Sequence, residues 1–239
     1  MIIEYNTMTK KTKLLIATDS YLPRWDGVTR FLLESVPSLS KRFDITIVAP
    51  DFGKCVLISK SVQLIRFPTR KICIGDYPIP TSDKKTIAKL VQEADVVFTQ
   101  TIGPIGRDAI NEAHRQKKPV AAFIHSIEWE LVPKSISKFK AALGYVTKQY
   151  AKHLYQKCSV VFVPSEDTAK LLRFAQIKTM QHIVYLGCNT KRFSPTNKAT
   201  AKKAVGLAKD SMVIGFCGRI AREKDLPTLY KAFHHLELG

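Results

Sequence analysis

Short, almost continuous apolar runs recur along this chain, and between them lie segments whose apolar residues step by three or four. The runs are Leu14-Leu15-Ile16-Ala17, Ile45-Thr46-Ile47-Val48-Ala49, Val62-Gln63-Leu64-Ile65-Arg66-Phe67, Val96-Val97-Phe98, Val120-Ala121-Ala122-Phe123-Ile124, Val160-Val161-Phe162-Val163 and Ile183-Val184-Tyr185. A strand that is apolar on both sides needs cover on both faces, as in a parallel sheet. The intervening segments 28–42, 87–93, 106–116 and 136–157 carry the helical spacing that such crossovers require. In 28–42 the stripe is Val28, Phe31, Leu32, Val36 and Leu39. The fold class expected is therefore α/β, a Rossmann-like parallel sheet with helices on both faces. Residues 68–82, with Pro68, Pro78 and Pro80, read as an irregular loop.

The texture changes after Tyr185. Residues 186–210 hold Gly187, Pro195 and a Lys/Ala-rich stretch without strand character. The expected division is an N-terminal Rossmann-like domain over 1–195 and a second region over 196–239. The second region opens with the apolar run 212–217, ends that run on Gly218-Arg219, and places Lys224 where a helix begins. It reads as the first strand and helix of a truncated second Rossmann-like domain.

No run reaches the length of about 18 apolar residues that spans a bilayer, and the first residues lack the apolar block of a secretory signal. The five cysteines, Cys55, Cys73, Cys158, Cys188 and Cys217, form no C-x-x-C pair. They suit reduced thiols in a cytoplasmic protein better than a disulfide framework or a zinc site. With 38 Lys and Arg against 20 Asp and Glu, the formal net charge is +18, which favours anionic partners. Specific nucleic-acid binding is not expected, because no such motif appears and aromatic residues are not interleaved with the basic clusters.

In an open parallel sheet, ligands bind beyond the carboxyl ends of the strands. Four places qualify. After the first run come Asp19 to Val28, where Asp26 and Gly27 precede a helix whose free amides suit an anion; a tight turn needing one glycine fits equally. No G-x-G-x-x-G pattern is present, which disfavours a dinucleotide. His125 follows the run 120–124 directly, with Glu128 and Glu130 nearby, and is suited to hydrogen-bonding a hydroxyl or steadying developing charge; a structural histidine is the competing reading. Ser165 is a helix cap, and the stretch from Gly187 to Pro195 resembles an interdomain hinge. The fourth place is Gly218, Arg219 and Lys224, two cations at the mouth of a strand.

Taken together, Tyr21-x-Pro-x-x-Asp26-Gly27-Val28, the strand-end His125, Val163-Pro164-Ser165, Gly187-x-Asn189-x-x-x-Phe193-x-Pro195 and Gly218-Arg219-x-x-x-Glu223-Lys224 resemble the retaining family-4 glycosyltransferases of the GT-B fold. That resemblance implies two Rossmann-like domains facing one cleft, the N-terminal one for the acceptor and the other for a nucleotide-sugar. It implies that Arg219 and Lys224 hold the donor diphosphate, that Gly27 lines the donor phosphate and sugar, and that His125 contacts the transferred sugar. Asp26 and Glu128 become candidate donor or acceptor contacts. No metal and no further cofactor are expected, the two cations doing that electrostatic work. Two features depart from the pattern. Many members carry two glycines where this chain has Asp26-Gly27, and the family's acidic motif, a pair of glutamates, would fall beyond Gly239.

The implied activity is transfer of a hexose from a UDP- or GDP-sugar to a lipid or glycan hydroxyl with retention. The alternative is a non-catalytic half-transferase that presents an acceptor- or phosphate-binding module. Between Pro133 and Lys157 the chain has six lysines and no acid. Ile136, Phe139, Leu143, Val146, Tyr150 and Leu154 form one stripe, with Lys138, Lys148 and Lys152 roughly opposite. One reading lays the lysines on anionic lipid at the inner face of a membrane; the other packs the stripe into the core and leaves a solvated basic back.

Overall fold

The computed structural model describes residues 11–54, 57–74, 77–134, 139–218, 220 and 224–237. The chain divides into two compact units, Met1–Tyr185 and Leu186–Gly239. The division falls before the expected boundary at Pro195, so the Gly187 to Pro195 stretch belongs with the second unit.

In the first unit, the strands β1 (Thr12–Ala17), β2 (Phe43–Pro50), β3 (Val62–Phe67), β6 (Val96–Thr99), β7 (Val120–Phe123), β8 (Val160–Val163) and β9 (Gln181–Ile183) form one sheet. Their order is β3-β2-β1-β6-β7-β8-β9, and every ladder is parallel. The chain builds outward from β1 in one direction, then returns to build in the other. The order therefore reverses between β1 and β6, and a parallel sheet opens its ligand crevice at such a point.

Side chains alternate across the sheet, and two cores result. Leu15 and Ala17 of β1 join Val48 of β2, Val97 of β6 and Val161 of β8 on one side. This side packs against α2 (Lys84–Glu93), α3 (Pro104–Arg115), α5 (Lys140–Tyr155) and α6 (Glu166–Phe174) through Ile87, Ile110, Leu154 and Leu172. Leu14 and Ile16 point the other way and meet Ile45 and Ile47. There they pack on Leu32 and Val36 of α1 (Gly27–Leu39). Each fully buried aliphatic side chain of this kind contributes roughly 1.5–3 kcal/mol.

Helix starts follow local chemistry. Asp83 caps α2 by accepting from the Lys85 amide. Ser165 caps α6 by accepting from Thr168, with Glu166 and Asp167 in the first turn, as the sequence predicts.

Three stretches differ from the sequence reading. Residues 68–82 are not irregular: β4 (Thr69–Ile74) and β5 (Tyr77–Pro80) pair antiparallel, with Pro78 opposite Cys73 and Pro80 opposite Thr69. A two-stranded ribbon has only edges, so prolines that would break a central strand are tolerated there. The helix expected over 136–157 is present as α5, and a further short helix not expected from the sequence, α4 (Glu128–Lys134), precedes it; they start three and fifteen residues after His125, and Ile136 and Lys138 lie outside the described residues. In the second unit, α7 (Lys198–Ala204) and α8 (Leu226–Glu237) form, but residues 211–217 make no ladder. A parallel strand needs a neighbour to satisfy its backbone. No other strand occurs among the described residues of this unit, and Met212 stands 84% exposed.

Candidate functional site

The crevice between β1 and β6 is built around Asp19, the second residue past β1. Its backbone amide donates to Thr101 Oγ1 (2.8 Å), and that hydroxyl donates back to Asp19 Oδ2 (2.6 Å). The carboxylate also accepts from the amides of Ile105 (2.8 Å) and Gly106 (3.1 Å) in the first turn of α3. Helix α3 has no side-chain cap of its own, since Gly103 precedes it; Asp19 supplies the missing acceptor across the crevice. Burial pushes the Asp19 carboxyl above its ordinary range, while Thr101, the two amides and Arg107 pull it partly back. Tyr77 of the β4–β5 ribbon donates its hydroxyl to the Asp19 carbonyl, and Arg24 lies over the Tyr77 ring at 5.2 Å.

The loop before α1 holds Asp26 in extended geometry as the N-cap, where it accepts from the Thr29 amide at 2.9 Å. Its other oxygen accepts from the Ser20 hydroxyl and lies 3.6 Å from Arg24 Nε. Asp26 is thus engaged by its own helix and loop. The amides of Gly27 and Val28 have no acceptor among the described residues, and a methyl group at Gly27 would meet nothing within 4 Å.

His125 lies two residues past β7. Its Nε2 is 2.9 Å from Oε1 of Gln100, which follows β6 and is 2% exposed. With the amide presenting its oxygen, the imidazole donates from Nε2 and keeps a lone pair on Nδ1. The ring packs against both Phe123 (centroids 4.7 Å apart) and Phe31 of α1 (5.0 Å), which touch each other at 4.6 Å. Burial drives its pKa down to about 4, against the opposing pull of the Asp26 carboxylate. The imidazole is therefore neutral at physiological pH and acts by hydrogen bonding, not as a fixed positive charge.

Glu128 turns away from the crevice. Its Oε1 accepts from the hydroxyl of the buried Tyr155 on α5 at 2.5 Å. Burial raises its carboxyl to about 7. Through the bond to Tyr155 the residue joins α4 to α5. Of the expected basic residues, Lys152 bonds Gln176 Oε1 at 3.0 Å, and Lys148 lines a groove between α4 and α5. Lys138 and Arg219 lie outside the described residues, and Lys224 is exposed in the second unit. Sequence reasoning passed over Gln100, Phe31 and Tyr77; the one available signal was a glutamine immediately after an apolar strand, at the edge where ligands bind.

Among the described residues no three His, Cys, Asp or Glu side chains gather as a metal site, and no helix is long and apolar enough to cross a membrane. The four described cysteines are free thiols, with only Cys158 buried. A separate cavity of about 110 Å³ opens at the opposite, amino edge, near Lys13, Asp44 and Gln63, away from the ligand edge.

Sheet order and crossovers together define a Rossmann-like α/β architecture with its crevice at the carboxyl edge. The family model for Glycosyltransferase Family 4 matches residues 25–192, and the chain belongs to that family. Sucrose-phosphate synthase from Thermosynechococcus elongatus has a similar fold, with a TM-score of 0.63 and 15% identity over 94% of this chain and 59% of that one. HepE from Anabaena, solved in complex with UDP and glucose, matches with a TM-score of 0.51 and 18% identity over 82% of this chain and 50% of that one. This chain thus spans between half and three-fifths of those enzymes' length. No curated protein matches it in sequence.

Proposed function

We propose that this chain supplies the acceptor-side lobe and the first donor-binding segment of a retaining glycosyltransferase that moves a hexose from a UDP- or GDP-sugar to a lipid or glycan hydroxyl. Family membership supports the reaction class, and the UDP and glucose bound by HepE support a nucleotide-sugar donor. The observation that carries the reading is the corner formed by the unoccupied amides of α1 and the neutral, Gln100-held His125.

In this reading a phosphate oxygen of the donor meets the Gly27 and Val28 amides, where the positive end of the α1 dipole adds to the attraction. Arg219 and Lys224 hold the diphosphate and carry the charge that builds on the departing nucleotide, with no metal required. His125 hydrogen-bonds a hydroxyl of the transferred sugar and fixes its orientation. Asp26 shapes the loop and sets the local field.

Titration of UDP-glucose and GDP-mannose against the full chain tests the donor assignment. Arg219→Ala with Lys224→Ala is expected to weaken binding at least tenfold, because each removes a charge-assisted contact of about 1.5–3 kcal/mol. Equal affinity in that variant would overturn the phosphate assignment. Turnover with anomeric analysis of the product tests transfer and retention.

A second reading, a half-transferase that binds without turning over, is favoured by one observation: among the described residues the apolar run 212–217 makes no ladder. Donor binding without any transfer to lipid or glycan acceptors would select it.

A further inference from the structure

Gln100, directly past β6, is buried at 2% exposure, and the fold alone gives little reason for a carboxamide there. Its backbone amide is already bonded to the Ala17 carbonyl of β1 at 2.9 Å. Among the described residues its side chain makes a single hydrogen bond, in which Oε1 accepts from His125 Nε2 at 2.9 Å, and its own Nε2 group is buried without an acceptor. A donor buried unpaired is destabilising, and an apolar side chain of similar length avoids that loss. The imidazole it holds has one polar atom left. Nε2 is engaged by Gln100, and the ring packs on Phe31 and Phe123. Nδ1 has no partner among the described residues and is not sealed from solvent. The bond made by one imidazole nitrogen decides which of the two carries the proton. An amide oxygen only accepts, so it draws the proton to Nε2 and leaves Nδ1 with a lone pair.

We propose that Gln100 is a positioning residue that sets donor-sugar specificity: it locks His125 as a hydrogen-bond acceptor through Nδ1, so the site selects a sugar that presents a free hydroxyl to that nitrogen. The inference rests on the reading of His125 as a contact of the transferred sugar, and it adds a direction to that contact. A hydroxyl donates its hydrogen to a lone pair. A fluorine or a methyl ether in its place has no hydrogen to give and sets one lone pair against another. An imidazole protonated at Nδ1 would tolerate all three, since each of them accepts. Gln100 touches no sugar in this role and acts only through the ring. A site built around one hydroxyl discriminates strongly against analogues that lack it.

Two measurements on the full chain test this. Long-range proton–nitrogen NMR correlation with isotope-labelled histidine reads the tautomer without any ligand, the His125 signals being identified by their loss in His125→Phe. Near neutral pH the parent is expected to carry the proton at Nε2 and a lone pair at Nδ1. Gln100→Met is expected to mix or reverse the two tautomers while keeping the parent's circular dichroism and a thermal midpoint at or above the parent's. Titration of UDP-glucose and GDP-mannose, and of analogues of the one that binds with a single hydroxyl replaced by fluorine, reads the selectivity. The parent is expected to lose at least about tenfold in affinity at one position, and Gln100→Met to cut that loss to below about threefold. The inference is overturned if the parent is protonated at Nδ1, if Gln100→Met keeps the parent's tautomer, or if the parent binds every fluorinated analogue as tightly as the natural donor. A lowered thermal midpoint in Gln100→Met with tautomer and selectivity unchanged also overturns it, leaving a purely structural residue. A parent that holds the Nε2–H tautomer but binds no nucleotide-sugar supports the hold of Gln100 on the ring and overturns the donor reading instead.

Discussion

Two of the helices that begin at the carboxyl edge of this sheet, α3 and α1, meet the same electrostatic problem in opposite ways. Helix α3 opens behind Gly103 and is closed by a residue from another element: Asp19 fills its first turn from across the crevice. Helix α1 opens behind Asp26, its own cap, and its Gly27 and Val28 amides have no acceptor among the described residues. The glycines record the difference. A Cβ at Gly103 would lie 2.6 Å from Asp19 Cγ, and one at Gly106 would lie 1.9 Å from the Thr101 carbonyl oxygen, whereas one at Gly27 would touch nothing. Where the protein has spent its own carboxylate the helix end is structural. Where it has left room, the proposed reading places the donor phosphate.

The largest effect expected is at the closed end. Gly106→Ala drives a methyl into backbone that cannot yield, and a loss of about 3 kcal/mol or more in urea unfolding is expected. Parent-like stability there would mean that α3 starts differently. Asp19→Ala strands the Thr101 hydroxyl and two buried amides and is expected to cost about 3 kcal/mol, at 1–3 kcal/mol for each unsatisfied group; a change under 1 kcal/mol would remove Asp19 as the closing group.

Acid supplies a probe of the open end. The His125 pKa of about 4 lies below the ordinary 6.5. The unfolded chain therefore binds the proton more readily, and the stabilisation present above pH 6.5 is lost as pH falls toward 4. The full span is on the order of 3 kcal/mol. Glu128, raised to about 7, works the other way, its contribution being present below its ordinary pKa and lost as pH rises through 7. His125→Phe is expected to flatten the acid limb, and Glu128→Gln the neutral one, in unfolding measured from pH 4 to 8.

Smaller effects sharpen the contrast. Asp26→Ala is expected to cost about 1 kcal/mol as a lost cap and to move the His125 titration, followed by NMR, further down. No movement would separate the two residues. Gly27→Ala is expected to change stability by less than about 0.5 kcal/mol while weakening donor binding, which distinguishes a site for ligand from a site for folding.

How much of this was readable in the residues follows from what each signal encodes. Continuous apolar runs report burial on two faces, so the parallel sheet was legible, though β9 sits at Gln181–Ile183 rather than at 183–185, because its residues are only partly covered. Ser165 and His125 were legible because strand ends and caps are local. The β4–β5 ribbon was not, since three prolines argue against a strand unless the strand has no inner edge. Asp19 and Gln100 act on residues more than 80 and 25 positions away, and no spacing rule connects such partners. Phe139, Tyr145 and Val146 stand largely exposed, and this outward turn was hidden because periodicity gives a stripe without saying which neighbour receives it.

One helix serves both halves of the proposed chemistry. The same α1 that offers its leading amides also carries Phe31, whose ring rests against the imidazole of His125, and its cap Asp26 sets part of the field felt there. Because α1 is a single rigid rod over one core, any tilt that tightens its grip on a phosphate also swings the wall behind the histidine. In the proposed reading, anion capture and sugar alignment are in this way geared together mechanically.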